Sequence, residues 1–456
     1  MQKIFHKTDI LDKRAQTKFL LNEEILMENA ARGIAEFIKT KAKKGADILF
    51  LCGGGNNGAD GFAAARMLVG SFNVSVFCFY PPKSPLAKLQ FSRLKSLHVK
   101  ILKTLPKSAD IYIDCILGSG QKNAIDKDLE NLLLHVNTQK GLKIACDIPT
   151  AIYSQTPFKA DFTLTMGALK AVLFEDFTKD YAGEIICCDL GVDRSEFEDE
   201  TDMFLLEKDD LVLPIRERKN SNKGDFGHLA IVSGEKAGAS ILSGLTALSF
   251  GAGLVSLLVK EKLFEFNPSL MQAEKLPDKT TAVIAGMGFG NREMDASWFE
   301  NVPFVIDADL CYDKRIREWD SPKCVITPHP KEFSSLLEIF GFGKISVEEI
   351  QQRRFFWAKE FSLKFSGVLV LKGANTIIAQ NSVLYVCRFG TQALAKGGSG
   401  DILAGLIGAL LAQNYSPLNA AVSGVLAHAL ASLSFETNNY ALTPEGLIEK
   451  IKLLQK

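Results

Sequence analysis

The run Leu394-Ala-Lys-Gly-Gly-Ser-Gly-Asp401 leads straight into the apolar segment 402–412. A glycine loop entering a helix leaves backbone N–H groups free, and the helix dipole favours an anion beside them. Asp401 stands where a carboxylate takes a proton from a hydroxyl next to that anion. Lys372 follows another strand-like run and offsets phosphate charge, while the amides of residues 397–400 stabilise a transferring phosphoryl group. These are parts for phosphoryl transfer to a small molecule. The plainer alternative is a helix start with Asp401 as its cap. No G-x-x-x-x-G-K-[ST] occurs, so this is not a P-loop enzyme.

A second set lies near the N-terminus. Gly53-Gly-Gly55-Asn-Asn-Gly58 matches G-x-G-x-x-G between a predicted strand and a predicted helix. The next strand-like run, 74–80, ends without the acid that would hold a ribose, which argues against an ordinary dehydrogenase. Asn56, Asn57 and Asp60 among glycines suit close polar contact with a ligand, or oxygen ligation of a cation. The alternative is a turn stabilised by Asn and Asp. Asp114 precedes Gly118-Ser-Gly120, and Asp147 precedes Ile-Pro-Thr150. Both follow predicted parallel strands, so both converge with the Asn-Asn loop on one crevice.

The elements that position these residues alternate. A helix is predicted over 25–38, a strand over 46–52, a loop over 53–61 and a helix over 62–69. Strands follow at 74–80, 111–114, 143–147, 162–165 and 184–189. An acidic then basic stretch, 193–223, reads as the linker. Beyond it, strands are predicted near 228–232, 282–285, 304–307, 324–327, 367–371, 376–379 and 384–387. Helices are predicted near 240–251, 332–340, 347–365, 402–413 and 419–436. The pattern is α/β: two tandem domains with mostly parallel sheets.

Composition narrows the classes. The chain has 456 residues, more than one usual core holds, and is 47% hydrophobic. Its 53 basic residues balance 53 acidic ones, so neither nucleic acid nor a membrane surface is an expected partner. Small-molecule substrates are the expected partners, and the apolar content allows a large assembly, so a homo-oligomer is expected. The opening residues carry no signal-peptide core, and the longest apolar run is too short to span a bilayer, so a cytoplasmic location is expected. Nine cysteines without C-x-x-C read as free thiols, mostly buried.

The segment Cys52-Gly-Gly-Gly-Asn-Asn-Gly-Ala-Asp-Gly-Phe-Ala-Ala-Ala-Arg66 resembles the signature of the NAD(P)H-hydrate epimerase family, the YjeF N-terminal domain. That resemblance implies a Rossmann-like three-layer sandwich over 1–207. It implies contact of Asn56, Asn57, Gly58, Ala59 and Asp60 with the damaged cofactor. It places the loop Gly118, Ser119, Gly120, Gln121, Lys122, Asn123 and Ala124 at the substrate, with Asp147 the first candidate for acid or base. It also implies a potassium ion held by Asn57, Asp114 and Thr150. Ala59 and Ala151 stand where the family usually has glycine, and the 118–124 loop lacks the family's arginine.

The later motifs are Lys223-Gly-Asp-Phe-Gly, Gly286-Met-Gly-Phe-Gly, Asp307-Ala-Asp, Thr327-Pro-His-Pro-Lys-Glu, Leu371-Lys-Gly-Ala-Asn-Thr and Gly397-Gly-Ser-Gly-Asp. In that order they resemble the ADP- or ATP-dependent NAD(P)H-hydrate dehydratases, a ribokinase-like branch. The resemblance implies a ribokinase-like domain over 208–456. Ala239, Gly288 and His329 would line the hydrated nicotinamide nucleotide. Lys372, Gly373, Ala374, Asn375, Thr376 and Gly400 would bind ADP or ATP with Mg2+, and Asp401 would face the substrate hydroxyl. Together the two resemblances imply bifunctional repair of hydrated NADH and NADPH (NADHX and NADPHX). The competing reading is a ribokinase-like kinase for a vitamin precursor, with a non-catalytic nucleotide-binding first domain.

Overall fold

The computed structural model describes residues 1–456 apart from 122–123, 265, 294, 436–437 and 456. Two compact units result: residues 3–201, and residues 202–456 together with 1–2. The division falls before the expected 207/208 boundary. The strand Met203–Leu205 pairs in parallel with Val383–Cys387, which carries residues 202–207 into the second unit.

The first unit holds seven parallel strands, in the order Lys100–Leu102, Asn73–Cys78, Asp47–Cys52, Ile111–Cys115, Leu142–Cys146, Phe162–Met166 and Glu184–Cys188. The central strands Asp47–Cys52 and Ile111–Cys115 are almost wholly buried. Helices cover both faces of such a sheet, so its strands read as unbroken apolar runs rather than alternating ones. The chain leaves Asp47–Cys52 toward one edge and returns beside it as Ile111–Cys115. The crevice at that reversal is where open α/β sheets bind ligands. A short parallel pair, Ile4 and Phe5 against Leu169 and Lys170, fixes the chain that follows the sixth strand.

Residues 56–61 are the first turns of the helix Asn56–Leu68, not a loop. Asn and Gly are poor helix formers, but two tight packings demand glycine there. A Cβ at Gly58 would lie 2.0 Å from the Gly53 carbonyl oxygen, and one at Gly61 would lie 2.8 Å from Cys115 Sγ. Tertiary contact overrides local propensity.

In the second unit the order is Met271–Ala273, Leu254–Leu258, His228–Val232, Ala282–Ala285, Phe304–Ile306, Cys324–Ile326, Val368–Leu371, Thr376–Gln380, Val383–Cys387 and Met203–Leu205. Pairing is parallel except on either side of Thr376–Gln380. The direction of winding reverses between His228–Val232 and Ala282–Ala285. The helix Ser399–Ala412 is buried throughout residues 402–412, packed against Ala237–Ser249 and Pro417–Leu433. The predicted helix over 347–365 is two helices, Val347–Gln352 and Arg354–Lys364, broken at Arg353. All nine cysteines are free, seven of them buried. Among the described residues no helix is long and apolar enough to cross a membrane.

Candidate active sites

In the first unit a cavity of about 780 Å³ opens at the winding reversal. Asn56, Asn57, Asp60, Gly118, Ser119, Gly120, Gln121 and Asp147 all line it. Gly58 and Ala59 are buried behind it. Ala124 lines an adjoining cavity of about 580 Å³ beside Tyr80 and Lys83. Lys122 and Asn123 lie outside the described residues.

Asp147 holds φ at +70° and Ala151 at +63°. Left-handed backbone costs a non-glycine residue roughly 1–2 kcal/mol, and strain of this kind concentrates at functional sites. The turn aims Asp147 into the cavity. Its Oδ1 lies 2.6 Å from Lys170 Nζ, and its Oδ2 accepts the Ser119 N–H at 2.9 Å. Burial pushes the Asp147 carboxyl up, but Lys170 and Ser119 outweigh it and hold it below its ordinary value. Asp60 is driven the other way, well above its ordinary value, by burial and by the charges of Asp147 and Asp12. One cavity therefore holds two carboxyls with opposite tendencies, and Asp147 is the one kept ionised.

Asp114 is fully buried at the end of its strand. It accepts the Thr150 N–H and hydroxyl, each at 2.7 Å, and the Ile116 N–H at 3.2 Å. Burial still lifts it to about 6 against those bonds. The Asn57 amide is buried, and among the described residues neither its oxygen nor its nitrogen has a hydrogen-bond partner. An orphaned amide oxygen and a buried carboxylate are groups that a cation would satisfy. Among the described residues no cluster of three His, Cys, Asp or Glu is placed to hold a metal. The donors present are oxygens, the kind that hard cations take rather than zinc.

Lys170 is a functional residue outside the predicted set. It is 5% exposed and lines the same cavity. The available signal was one lysine inside the apolar run Gly167-Ala-Leu-Lys-Ala-Val-Leu-Phe174. A charge there is either exposed or paired.

In the second unit the helix Ser399–Ala412 begins after Gly398, which sits at φ +91°. That left-handed cap needs glycine. It turns the amides of the first helical turn outward. Asp401 lies in that turn and is not the cap. Its carboxylate makes no hydrogen bond among the described residues, and Ser243 Oγ donates to its backbone carbonyl at 2.6 Å. Burial, then the charge of Asp307, raises Asp401 to about 6, with Lys372 opposing. Lys372 Nζ is 2.7 Å from Asp307 Oδ1 and 3.9 Å from Glu332 Oε2. Burial works against the Lys372 cation, but the two carboxylates prevail and hold its pKa above the ordinary value. A Cβ on Gly400 would stand 3.6 Å from Lys372 Nζ and 3.7 Å from Asp307 Oδ2. Gly400, Lys372, Asp307 and Asp401 thus meet at one point.

His329 caps the helix Pro330–Ile339. Its Nδ1 accepts the N–H groups of Lys331 and Glu332 at 3.1 and 3.2 Å. That assigns the ring proton to Nε2, 3.2 Å from Glu332 Oε1. His329 reaches the Lys372 group through Glu332. Ala239, in the first turn of Ala237–Ser249, and Gly288 lie at the winding reversal. Gly373 and Ala374 are exposed, Asn375 is buried, and Thr376 opens its strand. The buried Arg354 pins this segment by donating to the carbonyls of Leu371, Lys372 and Asn375 at 3.2–3.3 Å. Asp307, Glu332 and Arg354 were absent from the predicted site. Asp307 and Glu332 stand within its quoted motifs, whereas Arg354 gave no local signal.

Comparison with known proteins matches both halves. Residues 23–172 fit the family model described as YjeF-related protein N-terminus, and residues 229–453 fit the one described as NAD(P)H-hydrate dehydratase. The bifunctional NAD(P)H-hydrate repair enzyme of Helicobacter pylori is 44% identical over the full length of both chains. The enzyme of the same name from Escherichia coli is 33% identical, covering 84% of this chain and 80% of that one. Among solved structures, the ADP/ATP-dependent NAD(P)H-hydrate dehydratase of Bacillus subtilis, co-crystallised with ATP and Mg2+, is 25% identical. It covers 52% of this chain and 92% of its own, with a TM-score of 0.44. The chain belongs to the family of bifunctional NAD(P)H-hydrate repair enzymes.

Proposed function

We propose that this chain repairs NADH and NADPH that have taken up water at C6 of the nicotinamide ring. The first unit interconverts the R and S hydrates. The second dehydrates the S hydrate at the expense of ADP or ATP. The observation that carries the reading is the meeting of the Gly398 helix start, Lys372 and an unbonded Asp401 at one point.

In the dehydratase site Asp401 takes the proton of the C6 hydroxyl as its oxygen attacks the terminal phosphoryl group. Its raised carboxyl is ionised above about pH 6 and still basic enough to act. Lys372 and the amides of residues 398–400 stabilise the charge on the transferring group. Asp307 and Glu332 hold Lys372 in place and protonated. Mg2+ bound with the nucleotide would neutralise phosphate charge, and Asp307 and Glu332 would be the carboxylates available to hold it. Phosphate then leaves from C6 with the C–O electron pair, assisted by the N1 lone pair, and loss of a C5 proton to the departing phosphate or to water restores the ring double bond. Ala239, Gly288 and His329 are assigned to the hydrate, and residues 372–376 with Gly400 to the nucleotide.

In the epimerase site residues 56–60 and 118–124 are assigned to the hydrate, and Asp147 is the base. Asn57, Asp114 and Thr150 would hold potassium, which supplies fixed positive charge beside the substrate. The orphaned Asn57 amide supports that assignment. The expected setting is the cytoplasm and the expected form a homo-oligomer; light scattering of the purified chain tests the oligomer. The function itself is tested by supplying the S hydrate with ADP or ATP and following recovery of the reduced-nicotinamide absorbance. Release of a stable phosphorylated product without that recovery would favour a small-molecule kinase.

A further inference from the structure

Two lysines, Lys13 and Lys170, line the epimerase cavity without a role in the reading above, and Lys170 is the one paired with Asp147. Lys170 Nζ sits 2.6 Å from Asp147 Oδ1, with longer contacts to Thr165 Oγ1 at 3.2 Å and the Met166 carbonyl at 3.3 Å. Its side chain is 7% exposed, and that remainder faces the cavity. Two features place it. The pairing of Phe5 with Lys170 fixes its backbone, and the left-handed turn at Asp147 brings the carboxylate to it. Asp9, Asp12, Glu23 and Asp60 also line the cavity, but among the described residues Asp147 is the carboxylate in ion-pair contact with Lys170.

The chemistry of the substrate gives this pair a use. C6 of the hydrate carries a hydroxyl and is bonded to ring nitrogen N1, so it is a hemiaminal carbon. Inverting it needs one proton removed from the oxygen and one delivered to the nitrogen. Those two atoms share a carbon and lie about 2.4 Å apart by ordinary bond lengths and angles. Asp147 and Lys170 present a base and an acid 2.6 Å apart on one wall. The spacing of the pair matches the spacing of the atoms.

We propose that Lys170 is the catalytic acid of epimerisation, working beside Asp147 as base. This rests on the epimerase reading of the first unit. Asp147 takes the hydroxyl proton, and the O–H electron pair becomes the second C6–O bond. The C6–N1 bond breaks with its pair to N1, and N1 takes a proton from the Lys170 ammonium. The longer contacts to Thr165 and Met166 are the ones exchanged for the substrate. Rotation about the C5–C6 bond of the open aldehyde presents the other carbonyl face. Closure reverses each transfer, so every proton returns and no further reactant is consumed.

The test uses the full-length chain, R hydrate of NADH, potassium and no ADP or ATP, with R and S forms separated by chromatography. Lys170→Arg keeps the charge but cannot give up its proton near neutral pH. It is expected to lower kcat for epimerisation by about 100-fold or more while KM stays within about threefold. Lys170→Ala is expected to lose as much and to recover at least about tenfold with methylammonium, but not with tetramethylammonium, which has no proton to give. An arginine variant within tenfold of the unaltered rate, or equal rescue by both amines, would overturn the proposal. Failure of the unaltered chain to epimerise would instead overturn the epimerase reading itself.

Discussion

Replacing Asp401 by Asn separates chemistry from architecture in the second unit. The carboxylate makes no hydrogen bond among the described residues, so the isosteric amide breaks no contact. The raised value of about 6 means the folded state penalises the ionised form. For a carboxyl raised on folding, ionisation costs stability as pH rises above the ordinary value near 4. Asp401→Asn is therefore expected to melt no lower than the unaltered chain at pH 8, with the difference shrinking as pH falls from about 6 to about 4 and gone below that. Activity should behave oppositely. With a value of about 6, roughly a tenth of Asp401 is ionised at pH 5 and nearly all at pH 8. Dehydration of the S hydrate should thus fall about tenfold in kcat/KM from pH 8 to pH 5. The Asn variant should lose that inflection and sit about 10²–10⁴-fold lower on the plateau. The assay is reduced-nicotinamide absorbance with saturating ADP or ATP and Mg2+. An Asn variant with an undiminished rate, or with the inflection intact, would remove Asp401 as the base.

Other outcomes follow from neighbouring geometry. Lys372→Ala strands two buried carboxylates, Asp307 and Glu332, and should cost about 3 kcal/mol in chemical denaturation as well as abolishing dehydration; a variant of unchanged stability would show that water already screens the group. Asn57→Ala should impair epimerisation and remove its response to potassium over sodium, leaving dehydration of the S hydrate intact; equal loss of both activities would argue against separate sites. Gly58→Ala puts a Cβ 2.0 Å from the Gly53 carbonyl and should cost roughly 1–3 kcal/mol and silence the epimerase; unaltered melting of the first unit would mean that the helix start relaxes freely.

The sites were legible where one short segment carries the whole cue. Gly397-Gly-Ser-Gly-Asp401 before an apolar run announces its helix start, and Asp114 and Asp147 announce themselves as carboxylates at strand ends. The alternation of apolar runs was enough for two α/β units with mostly parallel sheets. What escaped depends on distance in the chain. Lys372 meets Asp307, which lies 65 residues away, and Lys170 meets Asp147 only because of a left-handed turn and a two-residue strand pair. The 56–61 stretch looks like a loop because its composition is poor for a helix. It is helical all the same, and its glycines are there because the Gly53 carbonyl and the Cys115 side chain leave room for nothing larger than hydrogen. Residues 85–95 and 127–138 form helices that the apolar pattern did not single out, because each buries only a few residues.

The most direct measurement is repair of a mixed R and S NADH hydrate by the purified chain with potassium, Mg2+ and either ADP or ATP, following reduced-nicotinamide absorbance. Two working sites should restore the cofactor from both epimers to completion, with the R fraction recovered faster than it inverts spontaneously. Recovery that halts at the S fraction would contradict a working epimerase. No recovery with either nucleotide would contradict the dehydratase and with it the repair function.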